Sequence, residues 1–451
     1  MLQPNDTIAA PATPTGVSAI AVVRISGADT ARLVQEIFSR VPHPRTVHRG
    51  DYRRKDGELL DDVLFTFFPG PNSYTGEDSL EISAHGNPFI VQKLLEDLFA
   101  RGCRSASPGE FTQRAFLNGR MDLSQAEAVM DLIHAQSERA LASANQQLRG
   151  ALGRRMGALT EKLLAVLARV EAYIDFPEED LPPEDLVWLQ NEINELIRET
   201  DRLLATSHFG ELLRDGIKTV ILGAPNAGKS SLLNRLVGKN RALVSPEPGT
   251  TRDFIEEKII VGPHGLRLID TAGLNPSPTP LEKLGIEKTL ERVEEADLLL
   301  LVVDASQPTP IWTPALARRI DDGPTITVLN KMDLVASSPA ACVPPSLPFV
   351  GVSALHGTGF DELAARIVAT ADSFQRETGP DAVAISARHA NALEEARTGL
   401  RAAAAKLKTQ EAAELLASDL RDALAAFSEI LGKIDNERML DQLFASFCIG
   451  K

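Results

Sequence analysis

Cysteine is scarce. Three residues, Cys103, Cys342 and Cys448, lie far apart in a chain of 451, which excludes a disulfide scaffold and gives no zinc-knuckle spacing. Long apolar runs are missing as well. The run Leu298–Val303 is six residues long and ends at Asp304, whereas a membrane-spanning helix needs about 18 or more. The opening MLQPNDTIAAPATPTG has no basic stretch followed by an apolar one, so no signal peptide is expected. Positive charge is in deficit: the formal net charge is −15. Taken whole, that opposes nucleic-acid binding, since phosphate contacts require Lys and Arg. What remains is an ordinary hydrophobic fraction of 43% and a charged fraction of 24%, typical of a globular chain. Length implies about three domains. The expectation is a cytoplasmic, reducing-compartment protein with no membrane segment.

The charge is uneven. Residues 1–120 carry net −1, 121–215 net −9, 216–372 net −3 and 373–451 net −2. Most of the acidity therefore belongs to one segment, and the whole-chain figure says little about what the others bind. These cuts also follow changes of texture. Residues 1–120 read as α+β, with strand patterns at Ser18–Ser26, Asp62–Phe68 and Ser79–Ser83 and a helix pattern at Phe89–Phe99. In 121–215, Leu159, Leu163, Leu167, Val170 and Ile174 recur at helical steps, and a second helix is expected from about Glu184 to Asp215. In 216–372, apolar runs at Lys218–Leu222, Lys258–Val261, Arg267–Asp270, Leu298–Asp304, Thr325–Asn330 and Phe349–Val352 alternate mostly with helical stretches. That is the rhythm of a parallel, doubly wound sheet. Residues 384–447 are Ala- and Leu-rich, with Leu393, Leu400 and Leu407 at heptad spacing. They resemble the earlier helices, so one helical domain interrupted by an α/β domain is expected.

The α/β segment carries the chemistry. Gly223-Ala-Pro-Asn226-Ala227-Gly228-Lys229-Ser230, followed by Ser231, stands after a predicted strand and before a helix pattern, the context a phosphate-binding loop requires. Its backbone N–H groups can wrap phosphates, Lys229 can reach the β- and γ-oxygens, and the Ser230 hydroxyl can ligate Mg²⁺. Asp270-Thr271-Ala272-Gly273 closes a predicted strand, where Asp270 would hold Mg²⁺ through water. Asn330-Lys331-Met332-Asp333 ends another. A carboxylate at Asp333 accepts from guanine N1–H and the 2-amino group, which adenine lacks. Ser353-Ala354-Leu355 follows the last strand, where a backbone N–H can read guanine O6. Four motifs in this order specify a GTPase. The residue after Gly273 is Leu274, not the water-orienting Gln of many GTPases. Asn226 and the stretch Ser245-Pro246-Glu247-Pro248-Gly249-Thr250-Thr251 could hold a monovalent cation beside the phosphates, neutralising charge as an arginine finger does. Thr251 would be the second hydroxyl on Mg²⁺.

With these residues assembled, the chain resembles the MnmE (TrmE) family of tRNA-modification GTPases over its whole length. Beyond the GTPase motifs, the resemblance rests on Asp6–Pro11, Ala21–Gly27, Pro71–Asp78, His85-Gly86, Gly109–Val129 and the terminal Phe447-Cys-Ile-Gly-Lys451. It implies an α+β folate-binding domain over 1–120, a discontinuous helical domain over 121–215 and 373–451, and a GTPase domain over 216–372 inserted into it. It implies a homodimer, a heterotetramer with the FAD-binding MnmG (GidA) subunit, and addition of an aminomethyl or carboxymethylaminomethyl group to C5 of the wobble uridine of certain tRNAs. Arg24, Glu81, Arg120 and Lys451 match contacts to 5-formyl-tetrahydrofolate, or another tetrahydrofolate one-carbon donor. Asn226 and Thr250, with the backbone at Ser245 and Glu247, match K⁺ ligands. Glu282 matches the residue that orients the hydrolytic water. Pro246 and Pro248 depart from many relatives but keep the carbonyls a K⁺ would need. Cys448 is a candidate functional thiol.

A competing reading is a ribosome-assembly GTPase acting as an RNA- or protein-binding switch. Such proteins usually add a basic RNA-binding domain, and no strongly basic segment occurs here. The charge distribution instead predicts weak, salt-sensitive tRNA binding by this chain alone; the resemblance, through the basic surface of the partner subunit it implies, predicts tight binding by the complex.

Overall fold

The computed structural model describes residues 6–40, 42–175, 183–240, 256–270, 290–308, 312–335, 349–376, 383–409, 411–432, 440, 443–445 and 447–450. They form two compact units, one of Met1–Met130 with Ser428–Lys451, the other of Asp131–Phe427.

The first unit is built on β1 (Ile8–Pro11), β2 (Ile20–Ser26), β3 (His48–Arg53), β4 (Leu59–Phe68), β5 (Ser79–His85) and β6 (Arg104–Ser105), in the order β3-β4-β5-β2-β1-β6. Alternation selects the faces. Val63, Phe65 and Phe67 of β4, Leu80 and Ile82 of β5, and Val23 and Ile25 of β2 share one core with α1 (Thr30–Phe38) and α2 (Pro88–Ala100). The start of α2 is specified locally: Pro88 opens it, and the Asn87 side chain accepts from Phe89 N–H. Ile8, Ala10 and Ala106 pack with Phe111 of α3 (Glu110–Leu117) and Tyr74. At the start of α4 (Leu123–His134), Leu123 and Ala126 cluster with Leu440, Phe444 and Phe447. The chain terminus thus belongs to this unit.

The second unit contains α5 (Glu138–Leu148), α6 (Ala151–Asp175), α7 (Pro183–Leu204) and α8 (Ser207–Asp215). The expected single helix to Asp215 is therefore two. The Thr206 hydroxyl donates to Leu203 O at 2.7 Å and to Val383 O at 2.8 Å, and this side-chain bonding takes over from the helical ladder at the break.

Next comes an α/β layer: β7 (Ile217–Gly223), α9 (Lys229–Asn240), β8 (Glu256–Val261), β9 (His264–Asp270), β10 (Leu298–Asp304), α10 (Pro314–Asp322), β11 (Thr325–Asn330), β12 (Phe349–Gly351) and α11 (Phe360–Arg376). The sheet order is β12-β11-β10-β7-β9-β8. Strand β10 is apolar up to its last residue, Asp304, and both its faces are covered. Leu298, Leu300 and Val302 enter one core, Leu299, Leu301 and Val303 the other. The sheet is not wholly parallel: β8 pairs antiparallel with β9 through the two-residue turn Gly262-Pro263. A connection that short cannot make a parallel crossover.

Two further helices follow, α12 (Ala387–Thr409) and α13 (Ala413–Ile430). Leu393, Leu400 and Leu407 of α12 are buried, and α12 packs on α7, whose Leu189, Ile193, Leu196 and Leu203 are also buried. Among the described residues no helix is long and apolar enough to cross a membrane.

Candidate functional site

Strand β7 delivers the phosphate loop. Gly223 ends it against β10, where a Cβ would stand 2.3 Å from Val302 O. The loop turns at Asn226, which is exposed with φ +62°, a left-handed conformation that asparagine tolerates. Gly228 has φ +94°, and a Cβ there would lie 2.2 Å from Asn330 Nδ2. Only glycine fits. Lys229 opens α9, is buried, and donates from Nζ to Gly223 O at 3.1 Å and Ala224 O at 3.0 Å. Ser230 and Ser231 are exposed on the first turn of α9, the helix end that favours phosphate.

Asn330 joins this loop to the base-reading loops. It is 2% exposed; its Nδ2 donates to Ala227 O and its Oδ1 accepts from Ala354 N–H, both at 3.0 Å. The following residue, Lys331, has φ +64°. Asp333 accepts from the Ser353 hydroxyl, which holds its carboxyl below the usual range. That acceptor is held anionic, as recognition of two guanine N–H donors requires. Met332 N–H bonds to Val352 O at 3.2 Å, tying the 330–333 and 353–355 segments together, and Leu355 is exposed beside them. Asp270 ends β9 in register with Ile221 of β7, so this motif starts next to the phosphate-loop strand.

Several expected site residues lie outside the described residues: Ser245, Pro246, Glu247, Pro248, Gly249, Thr250, Thr251, Thr271, Ala272, Gly273, Glu282 and Lys451.

The first unit holds a second cluster. Arg24 on β2 and Glu81 on β5 are direct cross-strand partners. Glu81 Oε1 accepts from Arg24 Nε at 3.0 Å and from its second terminal nitrogen at 2.8 Å. The other terminal nitrogen donates to Gly450 O at 3.3 Å. The guanidinium lies 5.4 Å from the Tyr74 ring centroid and 5.7 Å from that of Phe111. Sequence reasoning singled out Arg24 and Glu81 but missed both rings, whose approach depends on tertiary folding. Gly450 has φ +95° and would meet Pro11 O at 2.1 Å if it carried a Cβ. Gly109 N–H bonds to Cys448 O at 3.3 Å. The Cys448 side chain is exposed, and Arg120, also exposed, packs its stem toward Gly76.

This arrangement agrees with the comparisons. Residues 123–448 match the family model "MnmE helical domain", and residues 7–120 match "GTP-binding protein TrmE N-terminus". The chain is 59% identical over 451 residues to the tRNA modification GTPase MnmE of Opitutus terrae, covering 99% of each chain. It is 44% identical over 456 residues to that of Akkermansia muciniphila, covering 100% of both. The identity to that of Symbiobacterium thermophilum is 42% over 458 residues, with 99% of this chain and 100% of the relative covered. A phosphate loop held to guanine-reading segments, in a chain similar to these relatives from end to end, makes this protein a GTP hydrolase and a member of the MnmE family of tRNA modification GTPases.

Proposed function

We propose that this chain is a K⁺-stimulated GTP hydrolase that acts with the FAD-binding MnmG (GidA) subunit to place an aminomethyl or carboxymethylaminomethyl group on C5 of the wobble uridine, U34, of certain tRNAs. It works in the cytoplasm as a homodimer within a heterotetramer. Its organisation is the four-segment one: a folate domain over 1–120, a helical domain over 121–215 and 373–451, and a GTPase domain over 216–372. The observation that carries the folate part is the Arg24 guanidinium, which bridges Glu81 and Gly450 O over Tyr74 and Phe111. It joins the N-terminal signature to the Cys448–Gly450 segment through Gly450 O. A carboxylate at Glu81 suits the N–H edge of a pterin, and the cations Arg24, Arg120 and Lys451 suit the carboxylates of a folate tail.

In hydrolysis, water attacks the γ-phosphorus and the bond to the β-bridging oxygen breaks. Lys229 leaves the loop carbonyls to neutralise charge on the β/γ oxygens, and Glu282 orients the water. Asp333, held by Ser353, accepts from guanine N1–H and the 2-amino group, and a backbone N–H of the segment after the last strand would read O6. Ser230 and Thr251 would hold Mg²⁺; exposure of Ser230 at the start of α9 fits that role. Asn226 and Thr250, with the carbonyls of Ser245 and Glu247, would hold K⁺, and the exposed left-handed turn at Asn226 fits. Bound there, these cations supply charge neutralisation as γ-phosphate leaves.

The test is reconstitution of the full chain with the partner subunit, tRNA, a tetrahydrofolate one-carbon donor, FAD, NADH, glycine or ammonium, and GTP. Modified U34 is expected. Unmodified tRNA with all components active would refute the proposal.

A further inference from the structure

The guanine end of the site contains an ion pair that none of the motifs includes. Asp304 is the last residue of β10 and stands in register with Asn330, the last residue of β11. Its Oδ2 lies 2.6 Å from Lys331 Nζ. Its Oδ1 accepts from Ser306 N–H at 2.9 Å and from the Ser306 hydroxyl at 2.6 Å. Ala305 N–H bonds to Asn330 O at 2.9 Å, so the two strand ends are also joined through the backbone. The pair is partly shielded, with 14% of the Asp304 side chain and 32% of the Lys331 side chain exposed. Burial acts to raise the Asp304 carboxyl, but hydrogen bonds from Lys331 and Ser306 outweigh it and keep the group below its usual range. The carboxylate is thus anionic and doubly engaged.

Lys331 lies between Asn330, which holds the phosphate loop, and Asp333, which faces the guanine edge. Its stem rises from the same loop as the carboxylate that would hold the base. A free lysine stem is mobile and loses that freedom when a ligand packs on it. Here the backbone is fixed in the left-handed region and the ammonium is fixed by Asp304.

We propose that Asp304 is a positioning residue for the purine ring of GTP: it anchors the Lys331 ammonium so that the lysine stem forms a preset wall of the base site. The inference rests on the GTPase activity and adds a residue to it. Because the wall meets the flat face of the ring, Asp304 serves affinity for any purine that Asp333 admits. It does not read the 2-amino group.

A double-mutant cycle on the full-length protein separates this role from a local turn held by Ser306. The probes are fluorescently labelled GDP and its inosine counterpart IDP, which lacks the 2-amino group. Asp304→Asn should weaken GDP binding roughly 2- to 10-fold, the range for one side chain left to be ordered by the ligand. It should weaken IDP binding by the same factor. In a Lys331→Met background, the same substitution should change affinity by less than about twofold. An equal penalty in both backgrounds, or none in the wild-type background, would overturn the proposal. Independently of how well the Asp304 variant folds, Lys331→Arg, which keeps a cation for Asp304, should bind GDP more tightly than Lys331→Met. Equal affinities of these two would also overturn it.

Discussion

Replacing Gly228 by alanine puts a methyl carbon 2.2 Å from Asn330 Nδ2, at a backbone φ of +94°. The neighbour is not the loose end of a surface side chain. Asn330 is 2% exposed, and its amide makes two hydrogen bonds of 3.0 Å, to Ala227 O and from Ala354 N–H. Displacing it costs about 1 kcal/mol of net bonding for each, and more where a buried group is left unmet. The left-handed alanine adds about 1–2 kcal/mol of strain. A total of roughly 3–5 kcal/mol follows, worth on the order of 10²–10⁴ in nucleotide affinity where it falls on the site. The assay is fluorescence titration with labelled GDP, alongside thermal unfolding. The control is Gly238→Ala, at a position of α9 where a Cβ meets nothing within 4 Å. It should leave binding unchanged and add about 0.5–1 kcal/mol of stability. Wild-type affinity in Gly228→Ala would refute the view that Asn330 fixes the shape of the phosphate loop.

The proposed function carries the first of the other expectations, and the described geometry the rest. GTP turnover should be faster in K⁺ than in equimolar Na⁺, and Glu282→Ala should bind GTP but hydrolyse it poorly; equal rates in both salts would remove the cation assignment. Arg24→Ala should weaken 5-formyl-tetrahydrofolate binding at least about tenfold in calorimetry, the loss of a charge-assisted pair, while leaving GDP affinity intact. His264 is 5% exposed. Burial lowers its pKa below 6.5, outweighing the hydrogen bond to Asp372 that raises it, and nearby Arg139 lowers it further. The folded state therefore binds fewer protons than the unfolded one. The His264 contribution is fully present above about pH 6.5 and is lost as pH falls toward the depressed folded value. Urea midpoints measured across that range should show a steeper decline for wild type than for His264→Gln. Burial pushes the Cys103 thiol up to about 12, so at pH 8 Cys448, exposed, should be alkylated while Cys103 is spared until unfolding, as read by peptide mass spectrometry.

Much of the α/β layer could be read from the sequence because its strands are buried on both faces. A run such as Leu298–Val303 needs no tertiary information to be recognised, and the nucleotide motifs follow strand ends whose positions were expected. The antiparallel hairpin β8–β9 was not read: the expected runs stop at Val261 and resume at Arg267, and the two-residue turn Gly262-Pro263 shows only once β9 is seen to start at His264. The overall strand–helix rhythm concealed it. The break in the helix at Thr206 depends on Val383, far away in sequence, and no local periodicity reports that bond. The same holds for the site. Asn330, Lys331 and Asp333 are visible as a motif, whereas Asp304 becomes their neighbour only when β10 and β11 align in register. Arg24 was identified by likeness to relatives. Its setting over Tyr74 and Phe111 comes from strand pairing and the seat of the C-terminus.

The most direct test of the account is nucleoside analysis of tRNA from cells lacking this protein, complemented with wild type or with Lys229→Ala. The account predicts that C5-modified wobble uridine disappears on deletion, returns with wild type, and does not return with the variant. Wobble uridine unchanged by the deletion would contradict it.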